Sequence, residues 1–353
     1  AVSAEVRCVP LSWTWPDEPF LVRVDVYRTE APDGEGCRIG SVKASDTPAF
    51  LDGGRNPGTL PDDTPFWYRL VAVNRVEAAS DPSAPVEART RPRPPPVAAL
   101  RAESGLPRMA RLAWTPSADE KVIGYSVQRA EGEEGAFETI GSVDGRDQAA
   151  YEDRGRARPG ALGTLADGAL YRYRVAAWNA ARTPGAWSDP AEVRTKPVPH
   201  APEAVSAVSG LPRWIELSWP AVPEADIVEY RVERSLDGKR FREAGRVRVD
   251  AEGGRLWNEQ GLADGETRWF RVKAVDRDTL ESAWSETATA TAKPAPDAPG
   301  GLAAEAGDGI RLTWSAPAVD DIVSYTIWQK KLWRWAPLGT SDETGFRISA
   351  ETV

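Results

Sequence analysis

The sequence predicts an all-β protein built from several similar sandwich domains in tandem, and two observations lead to this class. The first is a repeated spacing, in which a Trp is followed by an apolar or aromatic residue 11 positions later and usually by an Arg 15 positions later. The repeated Trp residues are Trp13, Trp114, Trp219 and Trp314. Their self-similar period of roughly 100 residues indicates an array of one domain type.

The second observation is that strand patterns fill the repeats while helical periodicity is almost absent. The residues before each Trp alternate in character, as in Ile215-Glu216-Leu217-Ser218-Trp219, which places the Trp on the buried face of a half-exposed strand. The following strand alternates in the same way. Inward aromatics on two consecutive strands indicate two facing sheets. We therefore expect the four repeated Trp residues to be core anchors, together with Tyr125, Tyr230 and Tyr325.

A further motif follows the core Trp in each of the first three repeats and ends in Asn74, Asn179 or Asp276. In the second repeat it reads Leu165-x-x-Gly168-x-x-Tyr171-x-Tyr173-x-Val175-x-Ala177-x-Asn179. Together the two motifs resemble the fibronectin type III domain, and this implies seven-stranded, immunoglobulin-like sandwiches in an extended array. The resemblance also implies a core role for Tyr171, whose hydroxyl in this family bonds back to the backbone. Phe66 and Arg268 replace this corner Tyr in the first and third repeats.

The repeats divide the chain into four expected domains. These are 1–91, with its first edge strand short or missing; 95–196; 199–293; and 297–353, a partial domain without its last two strands. Pro-rich joints between the repeats favour extended backbone and hence a semi-rigid rod. Two interpretations of the partial domain stay open: the chain is a segment of a longer protein, or a neighbouring subunit donates strands to it.

Composition argues against several classes of function. The net charge is −9 and no basic stripe is present, so we expect no nucleic-acid partner. No apolar run is long enough for a helix that crosses a bilayer, so we expect no membrane span in this segment. The single histidine, His200, lies in a Pro-flanked joint and offers no nucleophile–base pair. We therefore expect no enzymatic activity, no cofactor and no metal site.

Two cysteines, Cys8 and Cys37, are candidates for a disulfide in the first repeat. A bridge closing about thirty residues would contribute on the order of 3 kcal/mol in the chain-entropy description. It requires an oxidising, extracellular location. The alternative is that both are unpaired, small apolar residues.

The segment from Trp328 to Trp335 is the best candidate for contact with a partner. Its members Trp328, Lys331, Trp333 and Trp335 combine large apolar area with a cation, as contact surfaces often do. If the segment is one strand, Trp333 and Trp335 share a face with Lys331 in line. The alternative is packing on the missing strands of the same domain or on the preceding domain.

The leading hypothesis is a non-enzymatic, extracellular structural or adhesive rod that belongs to a cell-surface or filament-associated assembly. We expect it to contact a protein partner, or further copies of itself, through the C-terminal partial domain. Two alternatives remain. The chain could carry accessory domains of a secreted polymer-degrading enzyme, or it could be a receptor-like ectodomain that binds a protein ligand at an interdomain elbow.

Overall fold

The computed structural model describes residues 5–55, 57–156, 163–249 and 255–349. Within these ranges it contains 25 β-strands and no helix, so the predicted all-β class is confirmed. All strand pairs are antiparallel, as is common for sheets with one face on the core and the other toward solvent. The chain divides into two compact units, Ala1–Val198 and Pro199–Val353.

The first unit contains two sandwiches. The first has a two-stranded sheet, β1-β4, facing a sheet of order β3-β2-β5-β6. Its strands are β1 (Val9–Ser12), β2 (Leu21–Thr29), β3 (Cys37–Lys43), β4 (Ala49–Asp52), β5 (Pro65–Asn74) and β6 (Val86–Arg89).

The second sandwich has seven strands in sheets of order β11-β8-β7 and β10-β9-β12-β13. They are β7 (Arg101–Glu103), β8 (Ala110–Ala113), β9 (Gly124–Glu131), β10 (Glu138–Asp144), β11 (Ala150–Asp153), β12 (Leu170–Trp178) and β13 (Ala191–Arg194). The described part of the first sandwich has no strand at the position of β7.

The second unit begins with another seven-stranded sandwich, in sheets of order β14-β15-β18 and β17-β16-β19-β20. Its strands are β14 (Ser206–Val208), β15 (Trp214–Ser218), β16 (Ile227–Ser235), β17 (Phe241–Arg248), β18 (Leu256–Gln260), β19 (Thr267–Asp276) and β20 (Ala288–Thr291).

The last sandwich has five strands within residues 255–349, arranged as a sheet of order β21-β22-β25 and a two-stranded hairpin, β23-β24. They are β21 (Gly300–Gly307), β22 (Gly309–Ser315), β23 (Tyr325–Lys331), β24 (Arg334–Ser341) and β25 (Gly345–Ile348).

The core of each sandwich is built around its repeated Trp. Trp114 directly follows β8 and packs edge to face on Tyr125, with ring centroids 5.2 Å apart; Trp219 and Tyr230 do the same at 5.5 Å. All four of these side chains are buried. The Trp and the Tyr belong to facing sheets, so each pair holds the two layers of its sandwich together.

The first and last sandwiches are less completely closed around their Trp. Trp13 is half-buried and packs on Trp15 at 6.0 Å, since Val24 occupies the position of the core Tyr. Trp314 and Tyr325 keep the edge-to-face geometry at 5.3 Å but both are only half-buried.

Candidate contact surface on the last hairpin

The β23–β24 hairpin ends in an unusual turn. Lys331 pairs with Arg334, so Leu332 and Trp333 alone connect the two strands. Two-residue turns with a positive φ at the first position favour Gly there. Leu332 adopts a φ of 48°, a region that costs an ordinary side chain roughly 1–2 kcal/mol. Leu332 is 89% exposed and Trp333 is 95% exposed, so this strained turn presents two large apolar side chains to solvent.

The register corrects the predicted arrangement of the Trp residues. The turn interrupts the strand pattern, so Trp333 and Trp335 do not share a strand face with Lys331 in line. Trp335 instead lies opposite Lys330 and shares the outer face of the hairpin with Trp328, whereas Lys331 lies on the other face. Trp328 is 54% exposed and Trp335 is 62% exposed. We call Leu332 and Trp333 the tip, and Trp328 with Trp335 the outer pair.

The hairpin is positively charged although the whole chain is acidic. Lys330, Lys331 and Arg334 surround the tip, and residues 325–341 contain no Asp or Glu. All three cations are exposed. The surface therefore combines apolar area with positive potential, which suits a partner segment that carries both aromatic and acidic groups.

The second and third sandwiches show what this outer face looks like when further strands complete it. Arg174 of β12 stacks on Phe137 and Trp187, its guanidinium carbon lying 4.2 and 4.9 Å from the ring centroids. Its Nε donates a hydrogen bond of 2.8 Å to Gln128 of β9. The stack is a cation–π ladder across the sheet surface.

The third sandwich repeats this ladder with Arg271 of β19. Its guanidinium lies 4.3 Å from the ring of Phe241 and 4.5 Å from that of Trp284. It also donates hydrogen bonds of 2.8 and 2.6 Å to Glu233 of β16. Arg174 and Arg271 therefore have the same three kinds of neighbour: an aromatic ring, a polar side chain of the adjacent strand and a Trp.

The Arg of the repeated Trp motif has a structural role that the sequence did not show. Arg129 donates to the buried carboxylate of Asp153 at 2.8 Å, and the hydroxyl of Tyr173 donates to the same Asp153 oxygen at 2.8 Å. Burial and the neighbouring carboxylate raise the pKa of Tyr173 far above its usual value. The network joins the two sheets of the sandwich, because β11 belongs to one sheet and β9 and β12 to the other.

The same network recurs with changes in the other sandwiches. In the first, Arg28 donates to Asp52 at 3.0 Å and Tyr68 donates to Asp52 at 2.8 Å. In the third, Arg234 pairs with Glu259, and Phe270 takes the place of the Tyr. In the last sandwich, Gln329 stands at the position of the Arg and Ile348 at the position of the acidic residue, so both charged residues are replaced. In the first three repeats, the sequence signal for the carboxylate that pairs with this Arg is an acidic residue 39 or 40 positions after the core Trp.

The corner hydrogen bond lies where the family resemblance implies it. The hydroxyl of Tyr171 accepts a hydrogen bond of 3.0 Å from the backbone N–H of Ala166. The equivalent Phe66 is buried without a hydroxyl, and Arg268 pairs with Glu266 instead.

The candidate disulfide is not formed, which corrects that expectation. Both thiols are free, with Cys8 buried and Cys37 exposed. Cys8 directly precedes β1 in the two-stranded sheet, whereas Cys37 begins β3 at the edge of the facing sheet, so the two side chains do not meet. Burial raises the pKa of the Cys8 thiol, which then behaves as a small apolar side chain.

The joint in the first unit is held by charged side chains. Arg91 precedes the first joint proline and donates to Asp119 of the second sandwich at 2.6 Å. Asp62 accepts hydrogen bonds from Arg7 at 2.9 Å and from Arg93 at 3.0 Å, and these bonds lower its pKa. In the second unit, Lys293 likewise precedes a joint proline and pairs with Asp321 of the last sandwich.

Two further polar groups were not singled out from the sequence as sites. Carboxylate oxygens of Asp226, Asp276 and Asp278 lie within 4.8 Å of one another, a donor set that hard cations prefer. Asp276 also accepts the backbone N–H of Leu280 at 2.8 Å, and so it stabilises a turn. His200 is exposed and pairs with Glu224, whose carboxylate raises the pKa of the imidazole.

The described residues thus form antiparallel β-sandwiches with buried polar networks and a Trp-rich hairpin. No protein-family profile matches the chain, and no curated protein sequence matches it. Among solved structures, the chain is similar to the FN1-FN3 domains of chicken CNTN1, with 17% identity over 83% of this chain and 97% of that chain and a TM-score of 0.28. This level of similarity carries no argument about function. Within the described ranges, no helix has the length and hydropathy to cross a membrane.

Proposed function

We propose that the chain is a non-enzymatic, extracellular structural or adhesive protein whose repeated sandwiches act as spacers and whose last hairpin contacts a protein partner. The observation that carries the proposal is the tip, where Trp333 is 95% exposed on a turn that strains Leu332. Backbone strain and exposed aromatic area both cost stability, and they are retained where a surface has a use.

Two other observations support a spacing role. Pro-rich joints limit the backbone, and ion pairs such as Arg91–Asp119 tie neighbouring sandwiches within the first unit. The buried polar groups of the first three sandwiches form Arg–carboxylate networks between sheets rather than nucleophile–base pairs. These networks give each sandwich mechanical cohesion and leave no group poised for chemistry among the residues they join.

The proposal is tested by retention of the purified chain on a cell-surface or matrix preparation from the producing organism. We expect the Trp333→Ser/Trp335→Ser variant to lose at least tenfold in retention, while Val76→Ser, an exposed apolar site in the first sandwich, retains the parent value. Equal retention of parent and hairpin variant would contradict the proposal. The proposal also requires that the native protein lie outside the cell. It would be contradicted if a protease added to intact cells could not digest the native protein.

A further inference from the structure

Each of the three joints carries a basic side chain that pairs with a carboxylate of the following sandwich. In the first joint, Arg91 donates to Asp119 at 2.6 Å, and in the third joint, Lys293 pairs with Asp321. Lys titrates near pH 10.4 and Arg at still higher pH, so both of these cations stay charged near neutral pH. The first and third joints are therefore held by permanent charges.

The middle joint uses a histidine in the same role. The Nδ1 atom of His200 pairs with the carboxylate of Glu224. Glu224 and Asp119 both lie five residues after the core Trp of their repeats, so the two carboxylates occupy equivalent positions. His200 is the single histidine of the chain, and imidazole is the side chain whose charge ordinarily changes near neutral pH.

The carboxylate of Glu224 depends on this counter-charge. Its side chain is 26% exposed, and its Oε2 atom is buried without a hydrogen-bond partner among the described residues. Burial acts to raise the pKa of Glu224, but hydrogen bonds from His200 and from backbone N–H groups outweigh it and lower the pKa. The carboxylate therefore stays ionised above its usual range, whether or not His200 is protonated.

The sign of the pH dependence follows from the surroundings of His200. In the described part of the chain, the carboxylates that face it are Glu224 and Glu203, and the hydrogen bond with Glu224 does most to raise the pKa of the imidazole. A histidine without such a partner titrates near pH 6.5. The contribution of the pair is therefore complete below about pH 6.5 and is lost as the pH rises through the raised pKa of His200.

The middle joint has few other ties to the third sandwich. Pro202 is buried, but no backbone–backbone hydrogen bond among the described residues involves residues 199–203. The first joint differs, because Arg7 adds a hydrogen bond of 3.3 Å to Thr183 of the second sandwich. Loss of the His200–Glu224 pair therefore frees the residues before Pro202, whereas the first joint keeps its ties.

We propose that His200 and Glu224 form a pH-sensitive latch, which fixes residues 199–201 to the third sandwich when the imidazole is protonated and releases them when it is neutral. The latch goes beyond the proposed function, because it lets pH set the freedom of one joint of the spacer and does not involve the contact surface. Ion pairs with an exposed partner are weak, so the ratio of latched to released joint should fall by about two- to fivefold on release.

The test follows the single histidine and its joint by NMR on the full chain. We expect the His200 ring to titrate at a higher pH in the parent than in Glu224→Gln. The backbone amide of Ala201, followed by nitrogen relaxation, should be more mobile at about pH 8.5 than at about pH 5.5, a span that brackets the ordinary histidine pKa. In Glu224→Gln, this amide should be mobile at both values.

His200→Arg is the matched control, since it gives the middle joint the permanent cation of the first joint. Ala201 should stay ordered at both pH values in this variant, and the amide of Arg93 in the first joint should not respond to pH in any of the proteins. The proposal is overturned if parent and Glu224→Gln titrate at the same pH, or if the mobility of Ala201 in the parent is independent of pH. It is also overturned if His200→Arg keeps the pH dependence of the parent, because another group would then be responsible.

Discussion

Removing the carboxylate of Asp153 should open the second sandwich selectively. This side chain is buried and accepts hydrogen bonds from Arg129 and Tyr173, both at 2.8 Å, and from the backbone N–H of Gly155 at 2.8 Å. In Asp153→Ala, the guanidinium loses its counter-ion and the fully buried hydroxyl of Tyr173 loses its acceptor. The hydroxyl was desolvated on folding and does not recover water in the variant, whereas the Arg129 side chain is 28% exposed and keeps part of its hydration.

The expected cost follows from this geometry. Breaking a buried ion pair by removing one partner costs about 3–5 kcal/mol in the free energy of unfolding, and the partial exposure of Arg129 places this pair toward the lower end of that range. The orphaned hydroxyl belongs to the same network, so its cost is contained in that range and is not added to it. Each 1.4 kcal/mol corresponds to a factor of ten, so the opening equilibrium of this sandwich should rise by roughly two to four orders of magnitude.

Hydrogen exchange on the full chain measures this change locally. Amides of β9 and β12 should exchange faster in Asp153→Ala, while those of β16 and β19 serve as the internal control. A triple variant, Arg129→Gln/Asp153→Ile/Tyr173→Phe, takes its first two residues from the last sandwich and its third from Phe270. It should exchange at least tenfold more slowly than Asp153→Ala, because no buried charge is left unpaired. The reasoning would be refuted if the β9 and β12 amides of Asp153→Ala exchanged at rates within threefold of those in the parent.

Three further outcomes are expected. The folded-state pKa of Tyr173 lies above its unfolded value of about 10, so the second sandwich should lose stability as pH rises above 10, by up to about 1.4 kcal/mol per unit. The third sandwich has Phe270 at this position and should lack this loss of stability above pH 10. Alkaline unfolding followed by hydrogen exchange checks the difference between the two sandwiches. Trp219→Ala should lower the free energy of unfolding of the third sandwich by about 3–5 kcal/mol. Trp314→Ala should lower that of the last sandwich by less than half as much, because the Trp314 ring is half-buried. Comparison of the local amide exchange rates in the two variants tests this difference. Leu332→Gly should relieve the positive φ and stabilise the hairpin by about 1 kcal/mol, and faster exchange in β24 would count against the strain.

The sequence predicted the repeated fold because that information is local. Period-two alternation around Trp114 and Trp219 follows from strand geometry, in which successive side chains point to opposite faces. The spacing from each Trp to Tyr125 or Tyr230 reflects the length of one strand and its connection, so the pairing of these aromatics could be expected before the structure was known.

The sequence singled out the composition of the candidate contact surface but not its arrangement. Trp328, Lys331, Trp333 and Trp335 were singled out from the sequence as one group, and their contact role stays a prediction. Trp333 lies in the turn and Trp335 pairs opposite Lys330. A turn made of Leu332 and Trp333 has none of the Gly, Asn or Asp residues that normally mark one. The strand register therefore could not be read from local sequence signals.

The sequence by itself determined which residues are apolar and at what period, and hence the sandwiches and their cores. Only the tertiary structure decided what meets across the layers. Arg129 and Asp153 come together from facing sheets, Cys8 and Cys37 belong to different sheets and stay free, and Trp328 and Trp335 come together through hairpin pairing. Alternation along a strand is fixed by its own backbone, whereas a contact between strands depends on register and sheet order, which distant parts of the chain set together.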